Sequence, residues 1–124
     1  MARVLVVDDV AEIRDLMLEI LSLSGHEIWT ASSGEEAIWR FKEVRPDLVL
    51  LDISMPGMNG YDVLRALREC PDGKDAKVVM MTALSDPKAV QKALELGARD
   101  YFVKGSIEID HLLNRVDQHV QSSN

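Results

Sequence analysis

Carboxylate, hydroxyl and amine side chains, which could take part in chemistry, follow directly after apolar runs in this sequence. Asp8 and Asp9 follow VLVV, Asp52 follows LVLL, Thr82 follows VVMM and Lys104 follows YFV. Short apolar runs bounded by polar residues are typical of buried strands. Carboxylates, a hydroxyl and an ammonium group at strand ends could together bind a metal ion and stabilise a transferring anion.

The apolar runs alternate with amphipathic segments along the chain. The runs predict strands at 3–7, 27–31, 48–52, 77–82 and 99–104. Apolar residues at helical spacing, with Gly and Pro at the boundaries, predict helices over 10–24, 34–46, 61–69 and 86–97, and in a last segment that carries Ile109, Leu112, Leu113, Val116 and Val120. This alternation predicts an α/β fold, a flavodoxin-like doubly wound five-stranded parallel sheet of order 2-1-3-4-5 with five helices.

The predicted sheet brings the reactive side chains together. In such sheets ligands bind at the carboxyl ends of the strands, at the switch point between strands 1 and 3. Three carboxylates that meet in a poorly solvated cleft repel one another, so that some carry protons or a cation lies among them. The oxygen-only ligand set favours Mg²⁺, or Mn²⁺, over zinc. We expect the three histidines, His26, His111 and His119, to lie at the surface instead.

Taken singly, these residues also have structural explanations. Asp9 begins the pattern DVAE, which is typical of a capping box at the start of helix 1. Asp52 could form the following turn, Thr82 is common in strands, and Lys104 could be a solvated strand end. Because four of the five predicted strands deliver such groups to one edge, we interpret the set as a functional site.

The chemistry of such a set indicates phosphoryl transfer. A carboxylate beside Mg²⁺ can attack phosphorus and form an aspartyl-phosphate. Asp52 lies alone on the central strand and is the best candidate nucleophile, whereas Asp8 and Asp9 are better placed to bind the metal. Thr82, Lys104 and backbone N–H groups of the loop after Asp52 could stabilise the charge on the phosphoryl oxygens.

The face that helix 1 turns inward can also be predicted. Ile13, Leu16, Met17, Ile20 and Leu23 follow the 3- and 4-residue spacing of a buried stripe.

Composition restricts the class of protein. The 124 residues are 47% hydrophobic and 28% charged, which predicts one globular domain over residues 1–124 with a polar tail at 121–124. The formal net charge of −7 argues against direct binding of nucleic acid or of an anionic membrane. A single cysteine, Cys70, excludes an intrachain disulfide. The sequence shows no secretory leader or membrane-spanning run, so we expect a cytoplasmic protein.

The chain resembles the receiver domain of two-component response regulators over essentially its full length, and several separate motifs carry this resemblance. The matching segments are VLVVDD, SSGEEAI, PDLVLLDISMPGMNGYDVL, VVMMTA and GARDYFVK. Their order, and the spacing between Asp9, Asp52, Thr82 and Lys104, are similar to the family's. The resemblance implies a signalling switch in a phosphorelay rather than an enzyme, although such a domain assists its own phosphorylation and dephosphorylation.

The resemblance also implies roles for individual residues. Asp52 would accept a phosphoryl group from a sensor histidine kinase or a phosphotransfer protein. Asp8 and Asp9, with Asp52 and the backbone carbonyl of Ser54, would hold Mg²⁺. Thr82 would be the switch hydroxyl and Lys104 would pair with a phosphoryl oxygen. No further cofactor is implied.

A change of surface would carry the signal in such a domain. Tyr101 matches the family's switch aromatic, and the surface of helix 4, strand 5 and helix 5 would change to regulate a downstream protein or an output domain. Candidate outward residues are Gln91, Lys92, Glu95 and Arg115. The sequence leaves open which kinase and partner are used, whether an output domain exists, and whether a weak homodimer forms.

Gly105 stands where the family commonly has proline after the lysine, so the Lys104–Gly105 bond is either trans with a shifted loop or a strained cis bond. Ser54 and Leu84 occupy positions that are thought to tune dephosphorylation in the family.

Two other functions compete with this interpretation. A Mg²⁺-dependent phosphatase with an aspartate nucleophile typically has Asp-x-Asp after strand 1 and a cap domain, whereas here Asp8 and Asp9 are adjacent. A flavodoxin-type cofactor binder needs a loop rich in Ser, Thr and Gly after strand 1, where this chain has the acidic DDVAE.

Overall fold

A computed structural model describes residues 2–83, 87–104 and 108–121. The strands are β1 (Arg3–Val7), β2 (Glu27–Ala31), β3 (Leu48–Asp52), β4 (Val78–Thr82) and β5 (Asp100–Val103). The helices are α1 (Ala11–Ser22), α2 (Gly34–Val44), α3 (Gly60–Glu69), α4 (Pro87–Glu95) and α5 (Ile109–Gln121). Every predicted element is therefore present, with boundaries shifted by at most a few residues. In the described part of the chain, no helix is long and apolar enough to span a membrane.

The sheet is parallel and has the predicted order, β2-β1-β3-β4-β5. Val7 at the end of β1 lies opposite Leu51 on β3, and Asp52 lies opposite Met81 on β4. Thr82 lies opposite Val103 at the end of β5. This register brings the carboxyl ends of β1, β3, β4 and β5 to one edge of the sheet.

Two apolar cores hold the sheet between the helices, because alternate side chains of each strand point to opposite faces. One core packs α2, α3 and α4 against residues that include Leu5, Leu51 and Met80. The other core packs α1 and α5 against residues that include Val6, Leu50 and Val79. Since the central strands are buried on both faces, their ends are fixed in place, and so are the polar groups that follow them.

The buried face of α1 differs from the predicted one. Met17, Ile20 and Leu21 are buried, whereas Leu16 is 50% exposed and Leu23 is 75% exposed. The helix ends before Leu23, and the 3- and 4-residue steps from Met17 lead to Ile20 and Leu21. Leu16 therefore lies at the border of the stripe rather than within it.

Two histidines are not the surface residues that we predicted. His26 lies 2.7 Å from Asp117 of α5, and His119 lies 2.8 Å from Asp100 at the start of β5. Their side chains are only 12% and 15% exposed. Both pairs attach α5 to the amino end of the sheet, whereas His111 is exposed as expected.

Arg68, in the last turn of α3, connects three segments at the amino edge of the sheet. Its Nη1 donates hydrogen bonds to the carbonyl oxygens of Gly73 at 2.9 Å and Ala76 at 2.7 Å. Its Nη2 donates to the carbonyl oxygen of Gly97 at 2.8 Å. The guanidinium therefore satisfies backbone acceptors in the segments that enter β4 and β5.

We expect Arg68→Met to lower the free energy of unfolding by about 2–4 kcal/mol, because three charge-assisted hydrogen bonds are lost and two of their acceptors, the carbonyl oxygens of Gly73 and Ala76, stay partly buried. Urea unfolding followed by circular dichroism measures this change. Arg65→Met is the matched control on the same helix, since Arg65 makes an exposed ion pair with Asp62 at 3.3 Å. The control should stay within about 0.5 kcal/mol of the original protein. Equal losses in both variants would contradict the assigned role of Arg68.

Candidate functional site

Three of the reactive residues are buried at the carboxyl edge of the sheet. Asp8 and Thr82 are 0% exposed, and Asp52 is 2% exposed. Asp9, the next residue after Asp8, is exposed. Asp52 belongs to the central strand, so that it lies between the end of β1 and the end of β4. The fold thus brings Asp8, Asp52 and Thr82 to the same edge of the sheet.

Asp8 has a structural role that the sequence did not reveal. Its Oδ1 accepts a hydrogen bond from the Val10 N–H at 3.0 Å, and its backbone carbonyl accepts one from Arg14 Nη1 at 2.7 Å. The N-cap residue of α1 is Val10, and no side chain caps the helix. The capping-box explanation for Asp9 is therefore wrong, because the Asp8 carboxylate supports the turn into α1. Arg14, the basic residue in the first part of α1, is the feature of the sequence that could have indicated this arrangement.

Lys104 follows β5 and connects two of the carboxylates. Its backbone N–H donates to the Thr82 carbonyl at 2.7 Å. Its Nζ donates a hydrogen bond to Asp8 Oδ2 and lies 3.1 Å from Asp52 Oδ1. Burial opposes the charged form, but the hydrogen bond to Asp8 and the attraction of Asp52 outweigh it and raise the pKa of Lys104. Lys104 is therefore a fixed cation between two buried anions.

The electrostatic surroundings of Asp52 disfavour its charge. Burial, and after it the charge of Asp8, raise the pKa of Asp52 to about 6. Lys104 and the backbone N–H of Ser54 act in the opposite direction without cancelling the increase. A further cation near Asp52 would favour its carboxylate form by the same electrostatic rule.

The three carboxylates meet the chemical requirements of a divalent cation. One oxygen from each of Asp8, Asp9 and Asp52 lies within 4.8 Å of the others. This donor set contains only carboxylate oxygen, which Mg²⁺ and Mn²⁺ prefer and which zinc sites seldom use alone. The repulsion between Asp8 and Asp52 gives a physical reason for a cation there, since Lys104 balances only one of the three charges. The residues present therefore fit Mg²⁺.

The start of α3 is held directly against Asp52. The Gly60 N–H donates to the Ile53 carbonyl at 2.9 Å, and a Cβ at Gly60 would come within 2.4 Å of the Asp52 carbonyl oxygen. Only glycine allows this close approach. Asn59 and Asp62 form a capping box, in which each side chain accepts the backbone N–H of the other. The first turn of α3 is thus fixed beside the candidate nucleophile.

The predicted switch residues lie on neighbouring strands. Thr82 is the last residue of β4. Tyr101 of β5 lies opposite Met80 of β4, which is two residues before Thr82. Since side chains two residues apart on a strand point to the same face, Thr82 and Tyr101 share a face of the sheet. Tyr101 is half-buried and packs against the core that contains α3 and α4.

The predicted outward residues fall into two groups. Gln91, Lys92 and Glu95 on α4 are exposed, as expected. Arg115 is only half-exposed and is paired with Asp100 at the start of β5. No local sequence pattern indicates this pair, because Asp100 and Arg115 are distant along the chain and meet only when α5 packs on the sheet.

One residue near the site carries no recognisable signal in the sequence. Tyr61 follows Gly60, and its hydroxyl donates to the carbonyl of Ala89 on α4 at 3.2 Å. The Lys92 ammonium lies 4.4 Å from the centroid of the same ring. The expectations for Leu84 and for the Lys104–Gly105 bond concern residues outside the described ranges.

Comparison with known proteins gives a consistent family. A family model described as the response regulator receiver domain matches residues 4–117. A probable transcriptional regulator, ycf27, of Porphyridium aerugineum is 40% identical over 128 residues, which cover 98% of this chain and 52% of that protein. The chain thus spans about half the length of that relative. The chemotaxis protein CheY of Thermotoga maritima is 37% identical over 82% of this chain and 84% of its own length.

Solved structures that resemble this chain are also described as response regulators. The response regulator protein TrrA of Thermotoga maritima, crystallised in complex with Mg²⁺ and BeF, superposes with a TM-score of 0.84 and is 41% identical, with 96% of this chain and 99% of that chain covered. A putative response regulator of Chloroflexus aurantiacus superposes with a TM-score of 0.90 at 31% identity, over 98% of both chains.

Proposed function

Since this chain belongs to the family of response regulator receiver domains of two-component systems, we propose that it is a phosphorylation-dependent switch whose phosphoacceptor is Asp52. The observation that supports this most strongly is the position of Asp52. It is a buried carboxylate at the end of the central strand, with carboxylate oxygens of Asp8 and Asp9 close by and the Lys104 ammonium 3.1 Å away.

The proposed reaction is a transfer of a phosphoryl group to Asp52. One carboxylate oxygen of Asp52 forms a bond to phosphorus while the bond from phosphorus to the donor breaks. With a phosphohistidine donor, the electron pair of the P–N bond returns to the imidazole, and the product on this chain is an aspartyl-phosphate. A sensor histidine kinase or a phosphotransfer protein would supply the donor.

The residues around Asp52 would have three roles in this transfer: metal binding, charge stabilisation and hydrogen bonding. Asp8, Asp9, Asp52 and the backbone carbonyl of Ser54 would bind Mg²⁺, which when present supplies positive charge to the phosphoryl oxygens. Lys104 would supply a second, permanent charge, since it already lies beside the nucleophile. Buried Thr82 would donate its hydroxyl hydrogen to a phosphoryl oxygen.

The response would then be read from the face formed by α4, β5 and α5. The phosphoryl group adds negative charge and acceptor oxygens, which favour an arrangement with new hydrogen bonds to Thr82 and Lys104. Tyr101, on the same face of the sheet as Thr82, would change position with it. The outcome would be control of a downstream protein, or of an output domain in a longer protein such as the transcriptional regulators that this chain resembles.

The proposal is tested by incubating the chain with acetyl phosphate, which requires no kinase. We expect one phosphoryl group per chain by intact-mass spectrometry when Mg²⁺ is present and none when EDTA is present, because the acidic pocket repels an anion without a cation. Peptide mapping should place the group at Asp52. Equal labelling with and without Mg²⁺, or a label on another residue, would overturn the proposal.

A further inference from the structure

The helix α4 is weakly attached to the rest of the molecule. Among its residues 87–95, all of which the structure describes, only Ala93 is buried. Leu94 is 50% exposed. A helix with one buried side chain has little apolar burial to hold it in place, so a few polar contacts can decide its position.

Two such contacts come from one residue, Tyr61. Its hydroxyl donates to the Ala89 carbonyl at 3.2 Å, in the first turns of α4. The Lys92 ammonium, one turn further along α4, lies 4.4 Å from the centre of the Tyr61 ring, which is within the distance for a cation–π interaction. Tyr61 therefore contacts α4 with both its polar atom and its ring.

Tyr61 follows a residue that packs against the backbone of Asp52. This residue is Gly60, whose backbone lies against the Asp52 carbonyl so closely that a Cβ would clash. The Asn59–Asp62 capping box encloses Tyr61 and fixes the first turn of α3. Of the two helices that Tyr61 joins, α3 is therefore the fixed one and α4 the one that can move.

We propose that Tyr61 and Lys92 form a clamp that holds α4 in its present position, and that phosphorylation of Asp52 must open this clamp to move α4. This inference rests on the proposed function. Tyr61 is a positioning residue, because the contacts that define its role are with Ala89 and Lys92 of α4 and not with Asp52 or the carboxylates that would bind the metal. Its contacts stabilise the resting arrangement and so oppose the signalling one.

The clamp predicts an effect on ligand binding. Beryllofluoride with Mg²⁺ mimics the phosphoryl group. The more the resting arrangement is favoured over the signalling one, the smaller is the fraction of protein that binds it, and the apparent Kd rises by the same factor. Tyr61→Phe removes one hydrogen bond and keeps the ring, so the apparent Kd should fall about fivefold. Lys92→Met should lower it about two- to fivefold, and Lys92→Arg, which keeps a cation over the ring, should leave it unchanged. Isothermal titration calorimetry measures all three.

A double-mutant cycle separates the clamp from a general effect of charge. Tyr61→Leu removes both contacts and should lower the Kd about tenfold. In that background, Lys92→Met should have no further effect, because the ring is gone. An undiminished effect of Lys92→Met would show that the lysine acts through its charge alone and would overturn the clamp.

Two further outcomes are distinguishable. If the original protein fails to bind beryllofluoride, the proposed function is overturned, and the clamp with it. If the original protein binds and the Tyr61→Phe variant binds with the same Kd, only the clamp is overturned, and any loss of stability in urea shows that Tyr61 has a structural role alone.

Discussion

Replacement of Asp52 by asparagine is expected to abolish phosphorylation by acetyl phosphate, with labelling reduced at least about a hundredfold. An amide at this position keeps the size of the side chain but lacks the nucleophilic carboxylate oxygen. Intact-mass spectrometry with Mg²⁺ present measures the labelled fraction over time. Labelling of Asp52→Asn at the original rate would refute the assignment of the nucleophile.

The variant offers its own check that the fold is intact. Burial and the charge of Asp8 make the charged form of Asp52 unfavourable, as its raised pKa of about 6 shows. A neutral side chain removes this repulsion, so without Mg²⁺ we expect Asp52→Asn to unfold at a higher urea concentration at pH 7.5. Lys104 keeps its hydrogen bond to Asp8 in the variant.

Asp47→Asn is a matched control for this experiment. Asp47 precedes the same strand at its other end, where its Oδ2 accepts the Arg3 N–H at 2.8 Å. Asparagine keeps an acceptor oxygen there, so the fold is preserved, and the site is at the opposite edge of the sheet. Labelling of Asp47→Asn should match that of the original protein.

Replacement of Asp9 by alanine is expected to weaken Mg²⁺ binding by about tenfold or more, since one of three carboxylates is lost from the donor set. Asp9 is the informative choice because it is exposed and makes no cap to α1, whereas Asp8 also supports the turn into that helix. Titration calorimetry with MgCl₂ measures the Kd, and the acetyl phosphate reaction should then need correspondingly more Mg²⁺.

Asp15→Ala separates the loss of a ligand from the loss of a charge. Asp15 is an exposed carboxylate on α1, and its removal changes the net charge by the same amount. We expect its Mg²⁺ affinity to stay within about twofold of the original, because exposed charges are screened in 0.15 M salt. Equal losses in Asp9→Ala and Asp15→Ala would contradict a ligand role for Asp9.

Much of the fold could be predicted because each strand leaves a local signal. The runs VLVV, LVLL and VVMM are apolar throughout, as strands buried on both faces must be, and the helices between them carry apolar residues at helical spacing. Because strands and helices alternate and the crossovers between parallel strands are right-handed, few sheet topologies are possible for this chain. The strand order followed from this, together with the resemblance of the motifs to the receiver family.

Contacts between segments that are distant in sequence could not be predicted. Arg115 and His119 look like solvated helix residues, and only the packing of α5 on the sheet places them against Asp100. In the same way, Tyr61 in NGYD carries no local sign that its ring lies beneath Lys92 of α4. Period and spacing describe which face of one element is apolar, but they do not determine which polar groups meet across elements.

The polar residues at the strand ends show what the sequence determines and what it does not. By itself, the sequence determined that Asp8, Asp9, Asp52, Thr82 and Lys104 come at strand ends, and parallel strands bring such ends to one edge. Only the tertiary structure decided that Asp8 is a buried acceptor for Val10 and Lys104, while Asp9 is exposed. The reason is physical: adjacent residues have opposite surroundings here, and burial, which sets the cost of a charge, depends on the whole fold.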